Sequence, residues 1–101
     1  MLTDKKPFFS VIMPVYNRAD LVKDSIASVL SQRFDDFELI CIDDGSTDNT
    51  VAIAKKYEQQ DSRVKVYVNE KNLGDYYNRN KAATYAKGKY IKYLDSDDYL
   101  Y

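Results

Sequence analysis

Two acidic clusters dominate the chemistry that this 101-residue chain could do: Asp43-Asp44-Gly45-Ser46-Thr47-Asp48 and Asp95-Ser96-Asp97-Asp98. Each follows directly on an apolar stretch. Carboxylates gathered in one cleft repel one another unless a cation compensates. A divalent metal is the simplest compensation, and an Asp-x-Asp pair can direct two carboxylates to one centre. Hard ions such as Mg²⁺ and Mn²⁺ favour oxygen ligands and keep positions open for phosphate oxygens. No glycine-rich phosphate loop of the GxGxxG or GxxxxGKS/T type occurs, so a metal is the group expected to neutralise any bound diphosphate. The plainer reading is a pair of turns, since Asp and Ser are ordinary turn residues. Gly45 then supplies a tight turn, and Ser46 or Asp48 caps a helix. Asp43 and Asp44 come earlier, at the strand end, and are better placed for a ligand. Tyr16 is either a core aromatic or a platform on which a nucleobase stacks.

The elements that must position these residues follow from hydrophobic periodicity. Phe8 to Met13 reads as a first strand, stopped by Pro14. It is apolar on successive residues, as a strand covered on both faces should be. Leu21, Val22, Ile26, Val29 and Leu30 recur at helical spacing, which predicts a helix over about 19–32. Phe37 to Ile42 is a second strand. A helix carrying Val51, Ala54 and Tyr57 follows, and Arg63 to Val68 is a third strand. Tyr76 to Lys87 reads as a third helix with Gly88 as its C-terminal cap, and Lys89 to Leu94 as a fourth strand. The β-α-β-α-β-α-β order predicts an α/β fold, an open, mostly parallel sheet of about four strands with flanking helices. A strand order of 3-2-1-4 is expected. Ligands of such sheets bind beyond the carboxyl ends of the strands, where strand order reverses. Both acidic clusters and Tyr16 map to that crevice.

Composition narrows the class. Hydrophobic residues at 45% and charged residues at 31% indicate one folded domain; residues 1–7 form a polar lead-in and 8–101 the domain. A formal net charge of -1 gives no basic face for nucleic acid. Histidine is absent and Cys41 is the single cysteine, so no internal disulfide forms. Cys41 lies in an apolar run and is expected to be a small buried side chain. The longest apolar run, Val11 to Tyr16, is far short of the ~20 residues of a membrane helix. With no signal pattern at the N-terminus, a cytoplasmic setting is expected.

Taken together, Ser10-Val11-Ile12-Met13-Pro14-Val15-Tyr16-Asn17, Asp43 through Asp48, and Tyr90 through Asp98 resemble the family 2 glycosyltransferases of the GT-A fold. Asn72-Leu73-Gly74 and Asn78-Arg79-Asn80 resemble that family's Asn-x-Gly and Ala-Arg-Asn segments. The resemblance covers residues 9–101. It implies a Rossmann-like nucleotide-binding half that serves inverting sugar transfer from a nucleotide-diphosphate sugar, commonly a UDP-sugar. Mg²⁺ or Mn²⁺ would be the cofactor, and a carbohydrate or lipid-linked molecule the acceptor. Pro14, Val15 and Tyr16 would line the base pocket, with Tyr16 against the ring. Asp44 would hydrogen-bond the base, and Asp43 and Ser96 would belong to the same nucleotide site. Asp97 would be the direct metal ligand, and Asp95 would contact the ribose or the metal's water shell. Arg79 would support the sugar-diphosphate side or serve as a structural helix arginine.

Two departures stand out. Asn78 and Ala82 replace the family's usual Ala and Gly. The family's acceptor region and acidic general base are expected beyond Tyr101, so this chain is expected to bind donor but to be inactive alone. In the full-length enzyme the site is expected at the inner face of the membrane. A truncated sheet is further expected to expose an apolar edge that invites self-association. The alternative is a non-catalytic nucleotide- or partner-binding module. A phosphoacceptor domain would need an acidic pair after the first strand, where Pro14-Val15-Tyr16-Asn17 stands. A calcium loop would need further oxygen ligands, a glycine and a distal glutamate that Asp95-x-Asp97-x-Tyr99 lacks.

Overall fold

The computed structural model describes residues 7–32 and 36–94, with the backbone alone at Asp75 and Tyr76. Four strands, β1 (Phe9–Val15), β2 (Phe37–Asp43), β3 (Val64–Val68) and β4 (Tyr90–Tyr93), alternate with three helices, α1 (Ala19–Leu30), α2 (Thr50–Gln60) and α3 (Asp75–Ala83). All pairings are parallel and the order is β3-β2-β1-β4. Strand order therefore reverses between β1 and β4, as the element pattern predicts.

The successive apolar residues of β1 and β2 are explained by two cores. Val11, Met13, Val15, Leu39 and Cys41 face Val22, Ile26 and Val29 of α1 and Ala54 of α2. The alternate residues Ile12, Ile40 and Ile42 lie under Ala82 of α3. A strand has period two, so a strand buried on both faces must be apolar at every position. Cys41 belongs to the first core. Burial, with a smaller contribution from the Glu58 charge, pushes its thiol up to about 12. It is a packing residue, not a nucleophile. Among the described residues no helix is long and apolar enough to cross a membrane.

Three differences from the sequence expectation stand out. Pro14 does not stop β1; it pairs with Ile42 inside the strand. The Val15 carbonyl accepts from the Asp44 N–H at 2.9 Å, whereas the Ile12 carbonyl accepts from the Leu94 N–H at 2.9 Å. Odd residues of β1 thus turn their backbone groups to β2 and even residues to β4. The ring nitrogen of Pro14 points to the β4 side, where the register ends at Ile12 opposite Tyr93. Its missing N–H therefore costs no bond to β2 and falls where the ladder to β4 ends.

Helix α3 also ends at Ala83, short of Lys87. Gly88 is therefore not its cap. A Cβ at Gly88 would lie 2.5 Å from the Ser10 nitrogen and 2.6 Å from the Phe9 carbonyl carbon. The glycine lets the α3–β4 connection run against β1. A buried polar knot fixes that approach: Gly88 N–H donates to Ser10 Oγ (2.7 Å), and Ser10 Oγ and Lys87 N–H both donate to Glu38 Oε2 (2.6 Å each). Finally, β4 is shorter than Lys89 to Leu94 and its side chains are exposed.

Overpacking against backbone cannot be relieved by a rotamer change. Gly88→Ala should therefore lower stability by about 1–3 kcal/mol. Urea denaturation followed by circular dichroism measures the loss; an unchanged midpoint would show that the connection can move away from β1.

Candidate functional site

The two carboxylates at the end of β2 point to opposite faces of the sheet. Asp43 still pairs within the sheet, with Val15 on one side and Val68 on the other. It lies on the α1/α2 face, and its bonds stay local. Oδ2 accepts the N–H groups of Gly45 (3.0 Å) and Ser46 (2.8 Å), and Oδ1 accepts the Ser46 hydroxyl. Gly45 takes a φ of 88°, the left-handed region that the tight turn needs. The carboxylate of Asp43 thus folds its own turn.

That turn is tied to the β1–α1 loop. Asn17 takes a φ of 49°, a conformation Asn tolerates better than other side chains with a Cβ. Its N–H donates to Ser46 Oγ (2.8 Å), and its Oδ1 accepts the Thr47 N–H (2.8 Å). Helix α1 has no side-chain cap of its own. Its first donors are taken by the next β-α unit, Arg18 N–H by Thr50 Oγ1 (2.8 Å) and Ala19 N–H by Asp48 Oδ2 (3.3 Å). Asp48 Oδ1 also accepts the backbone N–H (3.0 Å) and hydroxyl of Thr50 at the start of α2. One carboxylate therefore serves the starts of two helices, where anions are favoured. Of the sequence-level cap candidates, Asp48 caps both helices and Ser46 cross-links the loops.

Asp44 lies on the α3 face, continuing the alternation of Ile40 and Ile42, and Pro14 of β1 shares that face. Asp44 is buried. Its partners are 25 to 30 residues away: Oδ1 accepts Asn69 Nδ2 (3.0 Å) and Leu73 N–H (2.7 Å), and Oδ2 accepts Gly74 N–H (2.9 Å). Asn72 Nδ2 donates to the Asp44 carbonyl at 3.1 Å. This carboxylate shapes the loop that leads into α3. Behind it, Asn69 Nδ2 also donates to Asn78 Oδ1 (2.6 Å), Asn78 Nδ2 donates to the Ile42 carbonyl (3.2 Å), and Lys81 Nζ donates to Asn69 Oδ1 (3.0 Å).

The remaining candidates divide. Pro14 is buried and Val15 lies in the first core, so neither offers much side-chain surface. Tyr16 is 46% exposed at the end of β1. Arg79 on α3 places its guanidinium 5.7 Å from the ring centroid of Tyr93. Asp95, Ser96, Asp97 and Asp98 lie outside the described residues. Among the described residues no cluster of three metal-ligating side chains forms. Asp43 and Asp44 each accept three bonds from N–H and O–H donors, which leaves about one acceptor position on each. No motif in the sequence singles out Asn69 or Lys81 as site residues. The signal available was an Asn at the carboxyl end of a predicted strand, the position from which the crevice is lined.

The family model described as Glycosyl transferase family 2 matches residues 10–101. A putative teichuronic acid biosynthesis glycosyltransferase of Bacillus subtilis, TuaG, is 45% identical over 97 residues, which are 96% of this chain and 38% of that protein. The structure of Staphylococcus aureus TarS in complex with UDP-GlcNAc is 38% identical with a TM-score of 0.84, over 90% of this chain and 27% of that one. A mannosyltransferase of Pyrobaculum calidifontis in complex with GDP-Man and Mn²⁺ shares the fold at a TM-score of 0.84 and 22% identity, over 93% of this chain and 28% of that one. The chain thus spans between about a quarter and two fifths of the length of these proteins.

The Thr50 hydroxyl and backbone N–H, in that order, hold the Asp48 carboxyl below its ordinary range. A depressed folded value means the contribution is complete above the ordinary aspartate range and is lost as pH falls through the folded value. Asp48→Ala should therefore lower the urea midpoint at pH 7, and the gap from the parent chain should close on acidification below the ordinary aspartate range. Paired urea titrations across pH test this; a gap independent of pH would assign the loss to packing.

Proposed function

Because the chain belongs to glycosyl transferase family 2, we propose that it forms the donor-binding portion of an enzyme that transfers a sugar, with inversion, from a nucleotide-diphosphate sugar to a carbohydrate or lipid-linked acceptor. The observation that carries this reading is Asp44, a buried carboxylate at the carboxyl end of β2 with one acceptor position on Oδ2 left open among the described residues. An open anionic acceptor beyond the strand ends, beside the switch in strand order, suits the imino N–H of a nucleobase. Exposed Tyr16 at the end of β1 supplies a stacking surface for the same base. Asp43 contributes indirectly, by folding the turn that sets the Asn17 loop.

A UDP-sugar is the proposed donor, in keeping with the UDP-GlcNAc bound by TarS. Asp97 is the proposed ligand of Mg²⁺ or Mn²⁺, with Asp95 at the ribose or in the metal's water shell and Ser96 beside them. The bound ion supplies charge neutralisation for the leaving diphosphate. Arg79 adds positive charge on the α3 face.

Calorimetric titration of UDP into the full chain tests the reading, first with Mn²⁺ and then with chelator. Binding should require the metal and fall at least roughly tenfold in Asp97→Ala. Tyr16→Ala should lose about 1–3 kcal/mol of binding, the usual worth of one base–aromatic stack. A chain folded by circular dichroism that binds neither UDP nor another nucleoside diphosphate would overturn the proposal.

A further inference from the structure

We propose that Asn69, held in one orientation by Asn78 and Lys81, sets the base preference of the site by filling one oxygen of Asp44. The inference rests on the reading above, in which Asp44 faces the base.

A carboxylate offers about four acceptor positions, two on each oxygen. On Asp44, Oδ1 is filled by Asn69 Nδ2 (3.0 Å) and Leu73 N–H (2.7 Å), whereas among the described residues Oδ2 holds only Gly74 N–H (2.9 Å) and keeps one position. The Asn69 amide cannot profitably turn over. Its Nδ2 faces two acceptors, Asp44 Oδ1 and Asn78 Oδ1, and its Oδ1 faces the Lys81 ammonium at 3.0 Å. A flip would set oxygen against oxygen twice and amide against ammonium once. Asn78 is itself fixed by its 3.2 Å bond to the Ile42 carbonyl. Asn69 and Asn78 are only 4% and 1% exposed, so water does not substitute readily for either bond. Asn78 stands where the resembling family carries Ala, and an Ala there could not hold Asn69.

Uracil presents a single imino N–H between two carbonyls, and the open position on Oδ2 satisfies it. Guanine presents its imino N–H and its amino group side by side, a pair suited to both oxygens of a carboxylate at once. With Oδ1 full, the second donor of guanine is left unpaired, which is costly in a buried site. Removing Asn69 opens one position on Oδ1 while Leu73 keeps the other, and the carboxylate can then take guanine with two bonds. Asn69 and Asn78 are thus positioning residues that act through Asp44.

The test is calorimetric binding of UDP and of GDP, each with Mn²⁺, to the full chain and to Asp44→Asn, Asn69→Ala, Asn78→Ala and Lys81→Met. The parent should prefer UDP by roughly tenfold or more, in line with one buried donor left unpaired. Asn69→Ala and Asn78→Ala should narrow that ratio several-fold, mainly by strengthening GDP. A purely structural role would weaken both ligands alike and leave the ratio unchanged, which would overturn the inference; so would a parent that binds GDP as tightly as UDP. If Asn69→Ala or Asn78→Ala fails to fold, the surface change Lys81→Met, which removes the bond to Asn69 Oδ1 and so loosens the amide's hold on Asp44, should narrow the ratio in the same direction by a smaller factor. Asp44→Asn separates the two levels. Unchanged UDP affinity there, or no nucleotide binding by the parent, defeats the reading that Asp44 faces the base. Weakened UDP binding there with an unchanged ratio in the other variants defeats this inference alone.

Discussion

Two adjacent carboxylates at the end of a buried strand must find their hydrogen bonds within the protein, and the loops above the sheet are arranged around that demand. Asp43 and Asp44 sit where β2 leaves the sheet, and both are buried. An ionised carboxylate in such a place is tolerable only when donors surround it. Asp43 gathers donors from its own turn, and Asp44 gathers them from the loop before α3. The strand's alternation sends the two to opposite faces, so the pair does not share one set of partners. One carboxylate organises the α1/α2 side of the crevice and the other organises the α3 side.

From that division the rest of the crevice follows. The turn folded by Asp43 carries Ser46 and Thr47 onto Asn17 and Asp48 onto Ala19, and Thr50 at the start of α2 accepts from Arg18. The end of β1 and the start of α1 are thereby fixed by groups from the next β-α unit, not by local capping. On the other side, the loop over Asp44 is backed by Asn69, Asn78 and Lys81, which tie the end of β3 to α3. Among the described residues no buried side-chain nitrogen or oxygen lacks a partner. Fully satisfied polar networks of this kind rigidify a site, and a rigid carboxylate can discriminate between ligands by the number of acceptors it leaves open.

At the opposite end of the sheet, a second polar knot does a different job. Glu38 and Ser10 hold the backbone at Lys87 and Gly88, and so bring β4 alongside β1. That placement creates the reversal of strand order on which the crevice depends. Phe8, Phe9 and Tyr90 pack their rings together beside it, with Phe8 edge-on to Phe9 at 4.7 Å and Tyr90 5.1 Å from Phe8.

The amino-acid sequence by itself determined the elements, their parallel pairing and the strand order. Unbroken apolar runs joined by crossover-length connections admit few other solutions. It also placed Asp43, Asp44 and Tyr16 at the carboxyl ends of β1 and β2, where Asp43 is the last residue of β2 and Asp44 and Tyr16 follow directly on a strand. It misjudged Pro14, because whether a missing N–H matters depends on which neighbour that residue faces. It misread Gly88 as a helix cap, because a close approach of backbone to β1 leaves no local trace. What only the tertiary structure decided is which acceptor belongs to which donor. Asp43 and Asp44 are indistinguishable as letters, and one closes a local turn while the other reaches 25 to 30 residues ahead. Hydrogen bonds are short and directional, so their pairing is set by how the loops meet in space and not by their order along the chain.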